Sequence, residues 1–146
     1  MRFNRQEQSS LKPKLSTTSD LKYAEQLQQI AAEQSFEWLE IKPVFEKLFE
    51  EIDELKAEIA LKDEGADAEV QAKKIQDELG DVLFCCVNLA RFLKIDPEKA
   101  LAGTNDKFRR RFQFIEERLY QDGLSAKNSS LEVLDQLWDQ AKEKGL

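Results

Sequence analysis

The chain is expected to fold as an all-α bundle of four to five helices. Three observations predict this. Apolar residues recur with helical spacing in segment after segment. The breaks between segments carry helix-stop and helix-start chemistry, as in KDEGAD (62–67), Asp96-Pro97 and Gly123. Runs that alternate apolar and polar residues between turn dipeptides, the mark of strands, are missing from the sequence. A length of 146 residues suits one domain with one real core.

The elements follow in order. Residues 1–20, MRFNRQEQSSLKPKLSTTSD, are polar, aperiodic and contain Pro13, and read as a flexible tail or linker. Residues 21–146 read as the single domain. Residues 21–34 give a first amphipathic helix with Asp20 as its N-cap. FEWLEI (36–41) is a short connection. Pro43 suits the first position of a long helix. Its apolar stripe is Phe45, Leu48, Ile52, Leu55 and Ile59, and KDEGAD ends it. The next helix runs from about Ala68 to Lys94. Its second half, VLFCCVNLARFL (82–93), is polar only at Asn88 and Arg91, so burial is expected nearly all round, with Cys85 and Cys86 as buried thiols. Asp96-Pro97-Glu98 is a cap followed by proline, opening a helix that continues to about Gln121 and ends at Gly123. Its core stripe is Leu101, Phe108, Phe112, Ile115 and Leu119. Ser129-x-x-Glu132 reads as a capping box for a last helix to about Lys142.

Charge and composition exclude several functions. A net charge of −7 makes the chain a poor general binder of nucleic acid or anionic membrane, so neither is expected as a partner. The absence of histidine rules out a His-based triad and a His-ligated zinc site. No signal segment opens the sequence and no apolar stretch approaches the roughly 20 residues of a membrane span, so a cytoplasmic protein is expected.

The acids are more telling. Glu50, Glu51, Asp53 and Glu54 crowd one helical turn with Glu58 close behind, although like charges at i and i+4 cost about a few tenths of a kcal/mol per pair. On a helical wheel Glu51 borders the stripe of Leu48, Ile52 and Leu55, and Glu54 shares that side, while Glu50 and Asp53 turn toward solvent. Glu78 and Asp81 in DELGD repeat the i, i+3 arrangement at the mouth of the apolar segment, with Gly80 between them. That glycine costs about 1 kcal/mol relative to alanine, which the close approach of a helix or ligand would explain. Two such pairs on antiparallel neighbours bring four carboxylates to one place. A hard divalent cation with oxygen ligands resolves the repulsion, and Mg²⁺ fits best. In a chain with 29 acids, solvated surface charge is the competing reading.

Cationic and aromatic residues lie further along. Lys107 and Arg111, in NDKFRRRFQF (105–114), are i and i+4 beside the apolar stripe and suit phosphate oxygens, or ion pairs with Glu116, Glu117 or other acids. Trp138 and Lys142 are also i and i+4. Trp138, like Trp38, suits either stacking on a nucleobase or a place in the core.

Taken in order, EEIDE (50–54), ELGDVLFCCVNLARFL (78–93), NDKFRRRF (105–112) and the Trp138-x-x-x-Lys142 pair resemble the all-α nucleoside triphosphate pyrophosphohydrolases. The resemblance is closest to the C-terminal catalytic domain of bacterial MazG and covers about residues 21–145. It implies the all-α pyrophosphatase bundle, with its core completed by dimerisation or higher homo-oligomerisation, which the long apolar stripes permit. It implies Mg²⁺-dependent hydrolysis of nucleoside triphosphates to monophosphate and pyrophosphate, with Mn²⁺ as a substitute metal, a broad base preference and a role in nucleotide house-cleaning. A pyrophosphohydrolase narrow for one nucleotide, such as dUTP or dCTP, and a non-catalytic helical interaction module are the other readings. Carried over, Glu51, Glu54, Glu78 and Asp81 hold the metal, Glu50 is a helper or water-orienting base, Lys107 and Arg111 contact the triphosphate, and Trp138 and Lys142 lie near the nucleotide. MazG commonly has two tandem domains of this type, whereas this chain has room for one.

Overall fold

A computed structural model describes residues 9–65 and 67–146. Among the described residues there are five α-helices and no strand: α1 (Asp20–Glu33), α2 (Ile41–Asp63), α3 (Ala68–Phe92), α4 (Pro97–Gln121) and α5 (Leu131–Glu143), with a 3-10 turn at Ala126–Asn128. The all-α class expected from periodicity is the class that forms. The chain divides into two compact units, one ending at Glu98 and one spanning Lys99–Leu146.

The first unit is built on the α2–α3 helical hairpin. Gly65, at φ 95°, lies in the connection and occupies a backbone region that side chains disfavour. Asp67 then caps α3, its Oδ1 accepting from the backbone N–H groups of Glu69 (3.1 Å) and Val70 (2.9 Å). The buried Gln71 donates from Nε2 to the Glu58 carbonyl at 2.7 Å and to the Glu58 carboxylate. The first turns of α3 are thus fastened to the last turns of α2, and the helices run antiparallel. On the other flank, α1 meets α3 through the buried Gln28, which donates to the carbonyl of Phe84 at 2.8 Å. Val44 and Val87 mark the core. Arg91 ties the α1–α2 connection to α3, donating from Nη2 to Glu37 (2.8 Å) and from Nε and Nη2 to Asn88 Oδ1 (3.2 and 3.1 Å). This accounts for the two polar residues in the apolar run.

Several local expectations are corrected. Ser19, not Asp20, caps α1, accepting from the N–H of Lys22, and Asp20 is the first helical residue. α2 starts at Ile41, so Pro43 is the third helical residue rather than the first. Proline fits there equally well, because N–H groups of the first turn have no intrahelical acceptor. α3 ends at Phe92, with Lys94 in the left-handed region (φ 59°) and the Ile95 N–H on the carbonyl of Ala90 (2.8 Å). The cap of α5 is Ser130, which accepts from Val133 N–H, while Ser129 donates to the carbonyl of Ser125, so Ser129 and Glu132 form no capping box. Gly123 ends α4 as expected: at φ 69° it allows Leu124 N–H to reach the Leu119 carbonyl at 2.9 Å. Of the tail expected over residues 1–20, residues 1–8 lie outside the described residues. Part of the remainder is anchored, with the Tyr23 hydroxyl donating to the carbonyl of Lys12 at 2.8 Å.

Burial departs further from expectation. Leu83, Phe84 and Cys86 are exposed, and Cys85 is only half-buried. The segment 82–93 is apolar all round, but within its unit α1 and α2 cover only part of its circumference. Phe45 and Ile59 on α2 and Leu101 and Phe108 on α4 are exposed as well.

In the second unit Ile115, Leu119 and Ala141 are buried. Phe108 stacks on Phe112 (centroids 6.0 Å apart) and tilts against Trp138 (5.3 Å), which joins α4 to α5.

Candidate metal centre

The candidate centre sits across the α2–α3 hairpin. The stripe that packs α2 onto α3 carries Glu51 inward with it, and only 6% of the residue is exposed. The wheel placed Glu51 at the margin of the core; it is in fact buried. Glu54 follows one turn later and is exposed, and the antiparallel pairing sets the half-buried Glu78 opposite both. One carboxylate oxygen from each of Glu51, Glu54 and Glu78 lies within 4.8 Å of the others.

The electrostatics of this cluster are unfavourable as they stand. Glu78 Oε2 is sealed from solvent without a hydrogen-bond partner. Burial raises the Glu78 carboxyl above its ordinary range, and the negative charges of Glu54, Asp81, Glu51 and Glu58 push in the same direction. The half-buried Cys85 thiol is raised too, first by burial and then by Glu51, which keeps it protonated and inert. Converging carboxylates, one of which carries a buried and unpartnered oxygen, suit a hard oxygen-seeking cation. The donor set therefore fits a hard divalent cation such as Mg²⁺, Mn²⁺ or Ca²⁺.

Asp81 stands apart from the other three. It is exposed and outside the group of converging oxygens, although its charge is felt at Glu78. Glu50 is exposed and accepts from Lys47 Nζ at 3.0 Å. Gly80 is not explained by a neighbouring helix, because an added Cβ would meet nothing within 4 Å.

The other expected site residues belong to the second unit. Lys107 is exposed. Arg111 is half-buried, donates from Nε to the carbonyl of Leu146 at 2.7 Å, and sets its guanidinium 5.3 Å from the centre of the Trp138 ring. Trp138 thus lies between Arg111 and Phe108. Lys142 is exposed and paired with Asp139 at 3.0 Å. Arg111 and Trp138 are brought together; no hydrogen bond or ring contact ties Lys107 or Lys142 to them. Trp38, in the first unit, is 43% exposed and so is no core residue.

Sequence reasoning missed Lys47. Its Nζ lies 2.6 Å from Glu51 Oε1. Hydrogen bonds to Glu51 and then Glu50 lift its pKa well above the usual lysine range. The signal was present, since Lys47 precedes those acids by three and four residues, the reach of a helical ion pair.

A helical hairpin that gathers carboxylate oxygens within 4.8 Å of one another defines a class: helical proteins with an all-oxygen candidate metal centre. The sequence profile of the MazG nucleotide pyrophosphohydrolase domain matches residues 40–114, and the chain belongs to that family. That interval contains all four acids assigned to the metal. Among relatives, the chain is 38% identical over 122 residues to the nucleoside triphosphate pyrophosphohydrolase/pyrophosphatase MazG of Thermotoga maritima and 37% identical over 121 residues to the nucleoside triphosphate pyrophosphohydrolase of Escherichia coli K12. These alignments take in 84% and 83% of this chain, but 44% of each relative. An uncharacterized protein of Bacillus subtilis, YabN, is 55% identical over 69 residues, which is 47% of this chain and 14% of that protein.

Proposed function

We propose that this chain hydrolyses nucleoside triphosphates to the monophosphate and pyrophosphate, with Mg²⁺ held by Glu51, Glu54, Glu78 and Asp81 and with Mn²⁺ able to replace it. The observation that carries the reading is the convergence of one oxygen each from Glu51, Glu54 and Glu78, with Glu78 Oε2 buried and unpartnered, in a chain of the MazG family. The names of the Thermotoga and Escherichia relatives support the reaction.

A bound divalent ion withdraws charge from phosphate oxygens and lowers the pKa of a coordinated water. The chain supplies the rest. Glu51 is fixed by burial and Glu78 by the hairpin, so these oxygens need little reorganisation to serve as ligands. Asp81, one turn beyond Glu78, would complete the set of residues that hold the ion. Glu50 orients the attacking water. Lys107 and Arg111 offset charge on the triphosphate, and Trp138 and Lys142 contact the nucleotide. Residues 21–146 act as one catalytic domain, as a homodimer or higher oligomer, on nucleotides of broad base identity. The setting is the cytoplasm, where surplus and non-standard nucleotides need clearing. No described helix is long and apolar enough to cross a membrane.

The test is incubation with a panel of NTPs and dNTPs and Mg²⁺. Monophosphate and pyrophosphate should appear together, and Glu54→Ala or Asp81→Ala should each abolish both. Release of inorganic phosphate with a diphosphate refutes the reaction, and turnover of a single nucleotide refutes the broad preference.

A further inference from the structure

We propose that Lys47 is an internal counter-ion which occupies Glu51 in the metal-free protein, yields it to the cation, and retreats onto Glu50. The inference rests on the reading of Glu51 as a metal ligand and goes beyond it, because it assigns positioning roles to two residues outside the ligand set.

The geometry supports the exchange. Glu51 is the most buried of the clustered acids, and Lys47 Nζ sits 2.6 Å from its Oε1. A buried carboxylate without a cation is costly, so some positive charge must stay with it until metal arrives. The same ammonium is already 3.0 Å from Glu50 Oε1, and the Glu50 side chain is 54% exposed. Lys47 is therefore shared between an inner acceptor and an outer one. Leaving the inner acceptor gives up one of two ion pairs and keeps the other, with Glu50, through a rotation about its flexible stem. Cation and ammonium compete for one carboxylate, while Glu50 favours release.

Metal affinity without nucleotide shows the competition directly. The probe is Mg²⁺ alone, titrated calorimetrically and by thermal shift against the full chain. Lys47→Met should bind Mg²⁺ about fivefold more tightly than the wild type, in keeping with loss of one partly exposed ion pair. Its metal-free Tm should fall, so the Mg²⁺-induced rise in Tm should grow. Lys47→Arg keeps the charge and should stay near wild type. Glu50→Gln removes the retreat and should weaken Mg²⁺ binding, but should change little when combined with Lys47→Met. Lys56→Met is the charge control: Lys56 is on the same helix and pairs with Asp53 at 2.9 Å, away from the cluster, and its loss should leave the Mg²⁺ Kd within about twofold. Should Lys47→Met fold poorly, Lys47→Gln carries the same expectation. Unchanged or weaker binding in both Lys47 variants overturns the proposal while leaving the metal reading intact. Equal tightening by Lys56→Met reduces it to bulk charge and also overturns it. If the wild type and Lys47→Met both fail to bind Mg²⁺, the metal reading falls and takes the proposal with it.

Discussion

Glu78 concentrates the chemistry of the site in one side chain. Burial and four neighbouring acids raise its carboxyl, and one of its oxygens has no partner. A carboxyl raised by folding contributes stability below its unfolded pKa and loses it as pH rises through the folded value. In EDTA, Glu78→Gln should therefore gain Tm relative to the wild type as pH rises from 4 to 7.5, because ionising Glu78 sets its charge against its neighbours. Added Mg²⁺ should invert the order at pH 7.5, since only the wild type offers the full ligand set. Thermal melts of both proteins at two pH values, with and without Mg²⁺, check this; a Tm difference independent of pH and metal sinks it. Glu51, Glu54 and Glu78 were legible in the sequence because a carboxylate beside an apolar stripe has a fixed direction on a helix. The pairing of Arg111 with Trp138 was not, because it depends on how α5 meets α4. Asp81 shows where the wheel stops informing: it gives the direction of a carboxylate but not its reach.

At the scale of the element, all five helices were readable from apolar period, and the errors fall at their ends. Ser19 and Asp20 are adjacent cap formers, as are Ser129 and Ser130, and composition cannot say which of two neighbours turns its oxygen onto the N–H groups. The burial of α3 was misjudged for a different reason. Periodicity shows which faces are apolar, not how many neighbours arrive to cover them. Gly80 makes a prediction at this scale. It lies inside α3, and a Cβ there meets open space. Gly80→Ala should accordingly stabilise the metal-free protein by about 1 kcal/mol through helix propensity alone. Urea unfolding measures it, and a loss of stability instead would place another body, a second copy or a ligand, against this turn of α3.

Each of the two units buries few apolar side chains among its described residues. Among the described residues the buried hydrophobic side chains are Val44, Val87, Ile115, Leu119 and Ala141. Meanwhile the α2–α3 hairpin alone exposes Phe45, Phe49, Leu79, Leu83 and Phe84. Phe45 and Phe49 stack one turn apart on α2 (centroids 6.4 Å), and Leu79 and Leu83 repeat that spacing on α3. A soluble monomer rarely leaves contiguous apolar area beyond about a few hundred Å² uncovered. A second copy of the chain is the occupant that the expected oligomer supplies, and Leu79 adjoins Glu78, so such an interface would border the carboxylates. Leu83→Glu tests this at the right scale. Leu83 is 52% exposed in the single chain, so the change should barely alter the fold of one copy, whereas placing a charge at a packed interface should split the oligomer. Light scattering should find a dimer or larger species for the wild type at micromolar concentration and a folded monomer for Leu83→Glu, with hydrolysis reduced along with assembly. A wild type that is monomeric under these conditions, or a Leu83→Glu protein that keeps its mass, would remove the self-association reading and leave the exposed hairpin face without that explanation.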